Sequence, residues 1–570
     1  MKTKIFSLII AMIAVMALLA SCGGDGGSGG GGGGDQGDAK YNWNTTEVIM
    51  ELTMHSSSNE LTSGTKRFYA GDDNQYQQDV DLDIRERNDT AMATTKVSMK
   101  YTYVGQQQES ANSWGKNVGR ILSEVQTGGS LAPDIYVNFA YDITCASIRG
   151  CFVNLLDTST TTYEKGNWFR FNEADYNPVS ADYFDAEAGE GYFWEYMKSL
   201  SLTPDTKLYC LGSNYTMDLV RAFYVVPVNV TLMNSINDVG NAPAGDQDGD
   251  TDHDIVDFYE FVWDNGWDYD ALAAYSKLVY VNENQATSTA DIKDTLGFVL
   301  GTGSGLTGSG VLYTTDLQIL TYDAAQGKYV YPTSAGKLAT LASNLNTLFT
   351  NGKTAGVATV TKADAVAAGI INDSQSELEA IRERFADDKV LFGGIICVGS
   401  LEDQVYQDMR ATNGFGIVPV PLYQDHSVAG DEYLTSVHNI SRIAAISTAS
   451  TEKSQATAFL NYQSTNSAAI LEQYYTDILA AAVGGVAGEA NVDMLTYIRN
   501  HVRTCFDKTF EDAIANYIAD TDGESMEKRW HHILMTNDYQ IDNMSTLYLE
   551  LYESKQAGLD EIYTQWNTLK

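Results

Sequence analysis

Basic side chains are scarce. Lys and Arg total 36 against 75 Asp and Glu, a net charge of −39 over 570 residues. That deficit argues against a nucleic-acid partner, because phosphate binding depends on counterion-releasing Lys and Arg. It also disfavours anionic lipid surfaces and polyanionic substrates. Neutral polar ligands and cations stay open. No CxxC pair and no Cys/His cluster is present to hold zinc, and HExxH is absent. Beyond the N-terminus, no segment approaches the roughly 20 apolar residues of a membrane span. The only GxSxG match, Gly26–Gly30, lies in a glycine tract, so no nucleophile elbow is indicated. Proline is scarce too, at 8, whereas Tyr reaches 35. Tyr joins an apolar ring to a polar tip, which suits amphipathic neutral ligands such as sugars as well as ordinary core packing.

What is there begins with Lys2 and Lys4, then the apolar run Ile5 to Ala20, ending in Leu19-Ala20-Ser21-Cys22. The run is short for a span and has the form of a secretory signal, residues 1–21. Its end resembles a bacterial lipobox, which implies acylation of Cys22 and attachment to the extracytoplasmic side of a membrane through lipid. Residues 22–40 are dominated by glycine and read as a tether of roughly 20–25 Å reach. The remaining cysteines are Cys145, Cys151, Cys210, Cys397 and Cys505, an odd number. Cys145 and Cys151 are either joined or two buried small hydrophobes.

Helix and strand signals alternate through most of the chain, so the class is α/β. Lys96–Val104, Asn112–Val125 and Pro133–Val137 read as β-α-β, with Trp114, Val118, Ile121, Leu122 and Val125 at helical spacing. Phe223–Leu232 reads as a long strand. Asp268 is a candidate N-cap for a helix to Val279. Further helices are expected at 334–350, 374–385, 450–462, 494–506 and 542–555, and buried strands at 389–398 and 416–419. Trp263 and Trp267 read as helix-packing residues. Gly303–Gly308 matches GxGxxG, but a strand-like Val311–Thr321 follows where a dinucleotide site needs a helix, so it reads as a loop. Gly352-Lys353-Thr354 lacks the first glycine of a P-loop.

The acidic loop Asp246 to Asp257 is the sharpest local pattern. Asp246, Asp248, Asp250, Asp254 and Asp257 occupy oxygen-ligand positions of a calcium loop, but Thr251 stands where the turn glycine belongs. A structural calcium ion and a solvated acidic insertion are both open readings.

Five segments in order resemble the carbohydrate-type extracellular solute-binding proteins of ABC importers, the family that includes maltose-binding protein. They are Ala132-Pro133-Asp134-Ile135-Tyr136-Val137, Trp267–Leu272, Phe385–Phe392, Phe415–Pro421, and Ile443–Ser447 with Lys453–Leu460. The resemblance implies a periplasmic-binding-protein-like fold of two discontinuous α/β lobes with ligand in the cleft between them. It places lobe 1 at 41–225 and 389–447, and lobe 2 at 226–388 and 448–570. It implies a small-molecule solute such as an oligosaccharide, a permease partner and no catalysis. Cleft candidates at strand ends are Tyr141, Asp142, Asn229, Thr231, Ser400, His438 and Asn439. The alternative is a surface-anchored glycan-active protein, either a glycoside hydrolase or a stand-alone glycan-binding module.

Overall fold

The computed structural model describes residues 43–54, 79–105, 114–129, 132–156, 193–236, 240–249, 251–283, 288–302, 310–311, 320–331, 336–409, 414–422, 433, 435–438, 441–475, 486–500 and 541–569. The lipobox Cys22, the tether, Asp250, the GxGxxG segment, Asn439 and Cys505 lie outside them. The described residues from Thr45 onward belong to one compact unit. Among the described residues, no helix is long and apolar enough to cross a membrane.

The chain enters a first sheet with β1 (Thr46–Met54), whose residues are buried on both faces from Val48 to Thr53. Burial on both sides leaves no apolar-polar alternation, which is why the sequence carries no clear strand signal there. Helix α1 (Asp79–Thr95) leads into β2 (Val97–Gly105). Helix α2 (Trp114–Thr127) leads into β3 (Ile135–Phe139), and α3 (Ala140–Ile148) follows directly. The expected β-α-β is present, but β2 and β3 do not pair. Each runs parallel to β1, which lies between them.

The second sheet begins after a one-turn helix α4 (Asp218–Arg221) with β4 (Tyr224–Asn229). The long strand expected to Leu232 stops at Asn229. That side chain accepts the Leu232 N–H and starts α5 (Val230–Asn234). Helices α6 (Ile255–Trp263) and α7 (Tyr269–Val279) are capped by Asp254 and Asp268. Then come β5 (Leu296–Gly301), the hairpin β6 (Thr321–Asp323) and β7 (Lys328–Val330), α8 (Gly336–Asn351) and β8 (Val357–Val360). Helix α9 (Glu377–Ala386) starts from a Ser376/Glu379 capping box. The expected strand 389–398 is two pieces, β9 (Val390–Phe392) and β10 (Ile396–Cys397), separated by a bend in which Gly394 takes φ +80°. Strand β11 (Phe415–Val418) also joins this sheet.

Strand β12 (Arg442–Ile446) returns to the first sheet, antiparallel to β3. Helices α10 (Lys453–Thr465) and α11 (Ala468–Gln473) pack on α1. Helix α12 (Val486–Asn500) packs on β11, and α13 (Ile541–Thr568) ends the described chain. Strand order is β12-β3-β1-β2 in the first sheet and β10-β4-β9-β5-β8 in the second, where β11 also pairs with β4.

The architecture is thus α/β in two halves, each discontinuous in sequence. The crossings differ from the sequence expectation. Residues 389–422 belong to the second half, because β9, β10 and β11 complete the sheet around β4. The chain returns between Leu422 and Arg442. It does not leave near Ser447, since α10 and α11 cover the first half. No local signal distinguishes these crossings, because every buried strand here is similarly apolar.

Candidate functional site

Parallel strands of an open α/β sheet converge their carboxyl ends on loops and helix starts, where ligand sites form. At that end of the first sheet, Leu52 pairs with Val137, so Thr53 lies beside Asn138. By alternation, Glu51 and Thr53 on β1 and Tyr136 and Asn138 on β3 share one face. Helix α2 covers that face with a polar stripe, Asn117, Arg120 and Glu124, at helical spacing. Arg120 clasps Glu51 through two bonds of 2.7 and 2.8 Å and also bonds Glu124, which accepts the Tyr136 hydroxyl at 3.0 Å. Burial pushes the Glu51 carboxyl above its ordinary range, against the pull of Arg120.

Asp142 joins the end of this seam from the first turn of α3. It is 0% exposed and accepts one bond, from Asn117 Nδ2 at 3.1 Å. Burial raises its carboxyl to about 8, so it holds a proton at neutral pH. Asp142 Oδ1, Asn117 Oδ1, Asn138 Nδ2 and Thr53 Oγ1 are buried with no hydrogen-bond partner among the described residues. Four unanswered polar atoms on adjoining elements are costly to bury. Between them they offer donors and acceptors to a polar guest.

A charged ladder connects this cradle to the crossing between the halves. Arg442 donates Nε to the Thr53 carbonyl at 2.6 Å, lies over the Phe139 ring, and grips both Asp218 oxygens at 3.0 Å. Arg221 follows on α4 and binds Glu402 of the second half at 2.7 and 3.1 Å. Tyr474 also bonds Glu402. Burial works against the Arg221 charge, but the Glu402 carboxylate outweighs it and the guanidinium is held more firmly protonated. Beside the ladder the two crossing segments pair antiparallel at Phe223 and Val437, and the His438 N–H reaches the Ala222 carbonyl at 2.9 Å.

The residues expected at the cleft scatter around this geometry. Tyr141 and Asp142 both lie buried at the start of α3. His438 is half-buried at the crossing, its ring edge-on to Tyr224 at 6.0 Å. Ser400 is half-buried in the short 3-10 helix Val398–Glu402. Asn229 is a correction. Its Nδ2 donates to the Phe385 carbonyl and to Asp388, its Oδ1 caps α5, and the side chain is fully buried, so it is spent on the fold of the second half. Half-buried Thr231 goes with it, at the opposite end of β4 from His438, roughly 16 Å along the strand. Asn117, Thr53, Asn138, Asp218 and Arg442 were not singled out in the sequence. The signal available was a polar residue at the core-facing spacing of α2 and a lone Arg heading the apolar run 442–446.

Other motifs resolve structurally. Asp134 of the Pro-Asp segment accepts the Ile49 N–H at 2.8 Å and the Ser450 hydroxyl at 2.5 Å, tying β1 to the start of α10. In the acidic loop, Asp246, Asp248 and Asp257 bring carboxylate oxygens within 4.8 Å of one another, whereas Asp254 turns to cap α6. Asp257 accepts the N–H groups of Gln247, Asp248 and Asp254. Asp246 accepts those of Gly249 and Thr251. Thr251 takes φ +81°, the left-handed backbone a calcium loop assigns to glycine. Trp267 is buried against Phe258 and Phe392, with its indole N–H on the Pro419 carbonyl, and Trp263, 42% exposed, packs edge-on against Tyr497 of α12 at 5.0 Å. Among the described residues, Cys145, Cys151, Cys210 and Cys397 form no disulfide, so the 145–151 bridge is not formed. Gly352–Thr354 closes the carboxyl end of α8, the wrong helix end for a phosphate. A surface groove of about 250 Å³ between α7 and α8, floored by Ala273, Leu348 and Ala355, lies apart from the cradle and the ladder.

No protein-family model and no curated protein matches the chain. Solved structures similar to it include the galacto-N-biose-/lacto-N-biose I-binding protein of the ABC transporter from Bifidobacterium longum in complex with lacto-N-biose. It is 10% identical, covering 94% of this chain and 100% of that one, with a TM-score of 0.47. The extracellular solute-binding protein from Staphylococcus aureus in complex with maltose is 12% identical, covering 88% and 98%, with a TM-score of 0.44. Maltose-bound T. maritima MalE3 is 11% identical, covering 89% and 100%, with a TM-score of 0.43.

Proposed function

We propose that this chain is the solute-capturing component of an ABC importer, held at the membrane by lipid on Cys22, and that its solute is a neutral carbohydrate. The observation that carries the reading is the cradle of Thr53, Asn117, Asn138 and Asp142, with four buried polar atoms unanswered among the described residues, joined through Arg442 and Asp218 to the crossing between two α/β halves. A protonated Asp142 both donates and accepts, as amide groups and hydroxyls do, and that mixture matches sugar hydroxyls. A strongly acidic surface accepts a neutral solute without charge repulsion. Solute binds where the cradle meets the crossing and is enclosed when the halves close. The captured solute is then delivered to a permease.

The test is a panel of mono- and oligosaccharides screened by thermal shift and calorimetry. One neutral sugar should bind one to one and be recovered chemically unchanged. Asp142→Ala should weaken that binding at least tenfold while preserving the fold. Hydrolysis of the sugar by the pure protein would overturn the reading in favour of a glycan-active enzyme. Equal affinity in Asp142→Ala would move the site elsewhere.

A further inference from the structure

Helix α13 is 28 residues long, about 42 Å at 1.5 Å per residue. Its last part touches both halves. Gln556, Asp560 and Tyr563 recur at helical spacing on one side and take hold of β7 and the residue after it, in the hairpin that the chain makes between β5 and α8 of the second half. Gln556 accepts the Tyr331 N–H at 3.1 Å, Asp560 pairs with Lys328 at 2.5 Å, and the Tyr563 hydroxyl accepts the Tyr329 N–H at 2.7 Å. The helix also packs along α8 of the same half.

One turn further, the partners change. Trp566 is fully buried, edge-on to Tyr209 at 5.0 Å, with its indole N–H on Thr203 Oγ1 at 2.9 Å. Lys207 Nζ donates to the carbonyls of Trp566 and Leu569, each at 2.7 Å. This ammonium answers the orphan carbonyls and the negative end of the helix dipole. Leu569 lies against Gly150. Residues 150 and 203–209 belong to the first half, through Val153 on Ile446 and Leu211 on Ala444.

Within about 20 Å of rigid helix, therefore, two fastenings join the halves at a place separate from the crossing at Phe223 and Val437. A hinge at the crossing alone leaves rotation free. A stiff rod fastened to both bodies removes that freedom unless one fastening lets go. We propose that α13 is a strut between the halves: it holds them at one angle, and rotation about the crossing requires its last turn to leave the Thr203–Tyr209 segment. The first-half fastening is the one that releases. It consists of the Trp566 ring with its bond to Thr203, the Lys207 ammonium at the helix end, Leu569 against Gly150 and a small contact with α3. The second-half fastening spreads over three residues of the helix and the length of α8.

The experiment uses the full chain without added solute, so its outcome is independent of the sugar reading. Spin labels are placed on bio-orthogonal side chains at Leu82, on α1, and at Ala363, in the short helix Lys362–Ala367 after β8. Pulsed dipolar spectroscopy should return one narrow distance for the parent. Thr203→Val with Lys207→Met should at least double the width of the distribution or add a second distance, with the helical content unchanged. Lys328→Met with Tyr563→Phe loosens the other fastening by milder changes and should broaden the distribution in the same sense. Distributions that superimpose on the parent in both double variants would overturn the proposal.

Discussion

Asp142 gives the clearest test at the scale of a single residue. Its folded carboxyl is raised to about 8 from an ordinary value of 3.8, with burial as the main cause and Asn117 opposing. A raised acid binds its proton more tightly in the folded state. Its contribution is therefore complete below about pH 4 and is lost as the pH rises through 8. Within that window one linked proton costs about 1.4 kcal/mol per pH unit. Asp142→Asn, which keeps the shape and the polarity, should flatten the pH dependence of unfolding between pH 5 and 8 relative to the parent. Denaturant titrations at several pH values read this directly, and parallel curves for the two proteins would show that Asp142 is not the linked group. Asp257 gives a second case. It holds three backbone N–H groups of the acidic loop, so Asp257→Ala should cost about 2–4 kcal/mol whether or not a chelator is present. Exposed Asp248→Ala should leave the melting temperature in chelator unchanged. A calcium-dependent stabilisation lost in Asp248→Ala would establish the cation reading of that loop.

At the scale of elements, close approach of backbones decides more than propensity. Gly297 on β5 lets α7 sit directly on the strand. A Cβ there would lie 1.9 Å from Ser276 Cα, so neither element can accommodate it without moving. Gly297→Ala should destabilise by about 3 kcal/mol, visible as a lowered urea midpoint with an unchanged slope. Asn229 shows the same logic with a polar group. It ends β4, starts α5 and ties both to the end of α9 through Phe385 and Asp388. Asn229→Ala should cost about 2 kcal/mol yet leave solute affinity unaltered, because both of its donors are spent within the second half and the side chain is fully buried there. A selective loss of affinity at full stability would return Asn229 to the site.

At the scale of the whole molecule, the proposed function requires differential affinity for the closed arrangement. Shifting two halves from 1:99 to 99:1 takes about 5.5 kcal/mol of preference. Micromolar binding, about 8 kcal/mol, can supply it when contacts are shared between the halves. A bound sugar should therefore reduce the radius of gyration in solution scattering. Binding without compaction would keep the capture role and remove the closing motion.

Much of this was legible in the residues. Alternating helix and strand periods specify an α/β chain, and the cap Asp268 marks a helix start, because capping is a local hydrogen bond. Asp142 was legible as a polar residue just beyond a buried strand. The assignment of 389–422 to the second sheet was not, since strand pairing is long-range and buried strands share one composition. Nor was the seam of Asn117, Arg120, Glu51 and Tyr136, whose members come from three separate stretches of chain and acquire meaning only where α2 crosses β1 and β3. The local physics of caps, periods and turns determined the elements. Only their packing decided which polar groups were left buried and unanswered, and so where the candidate site lies.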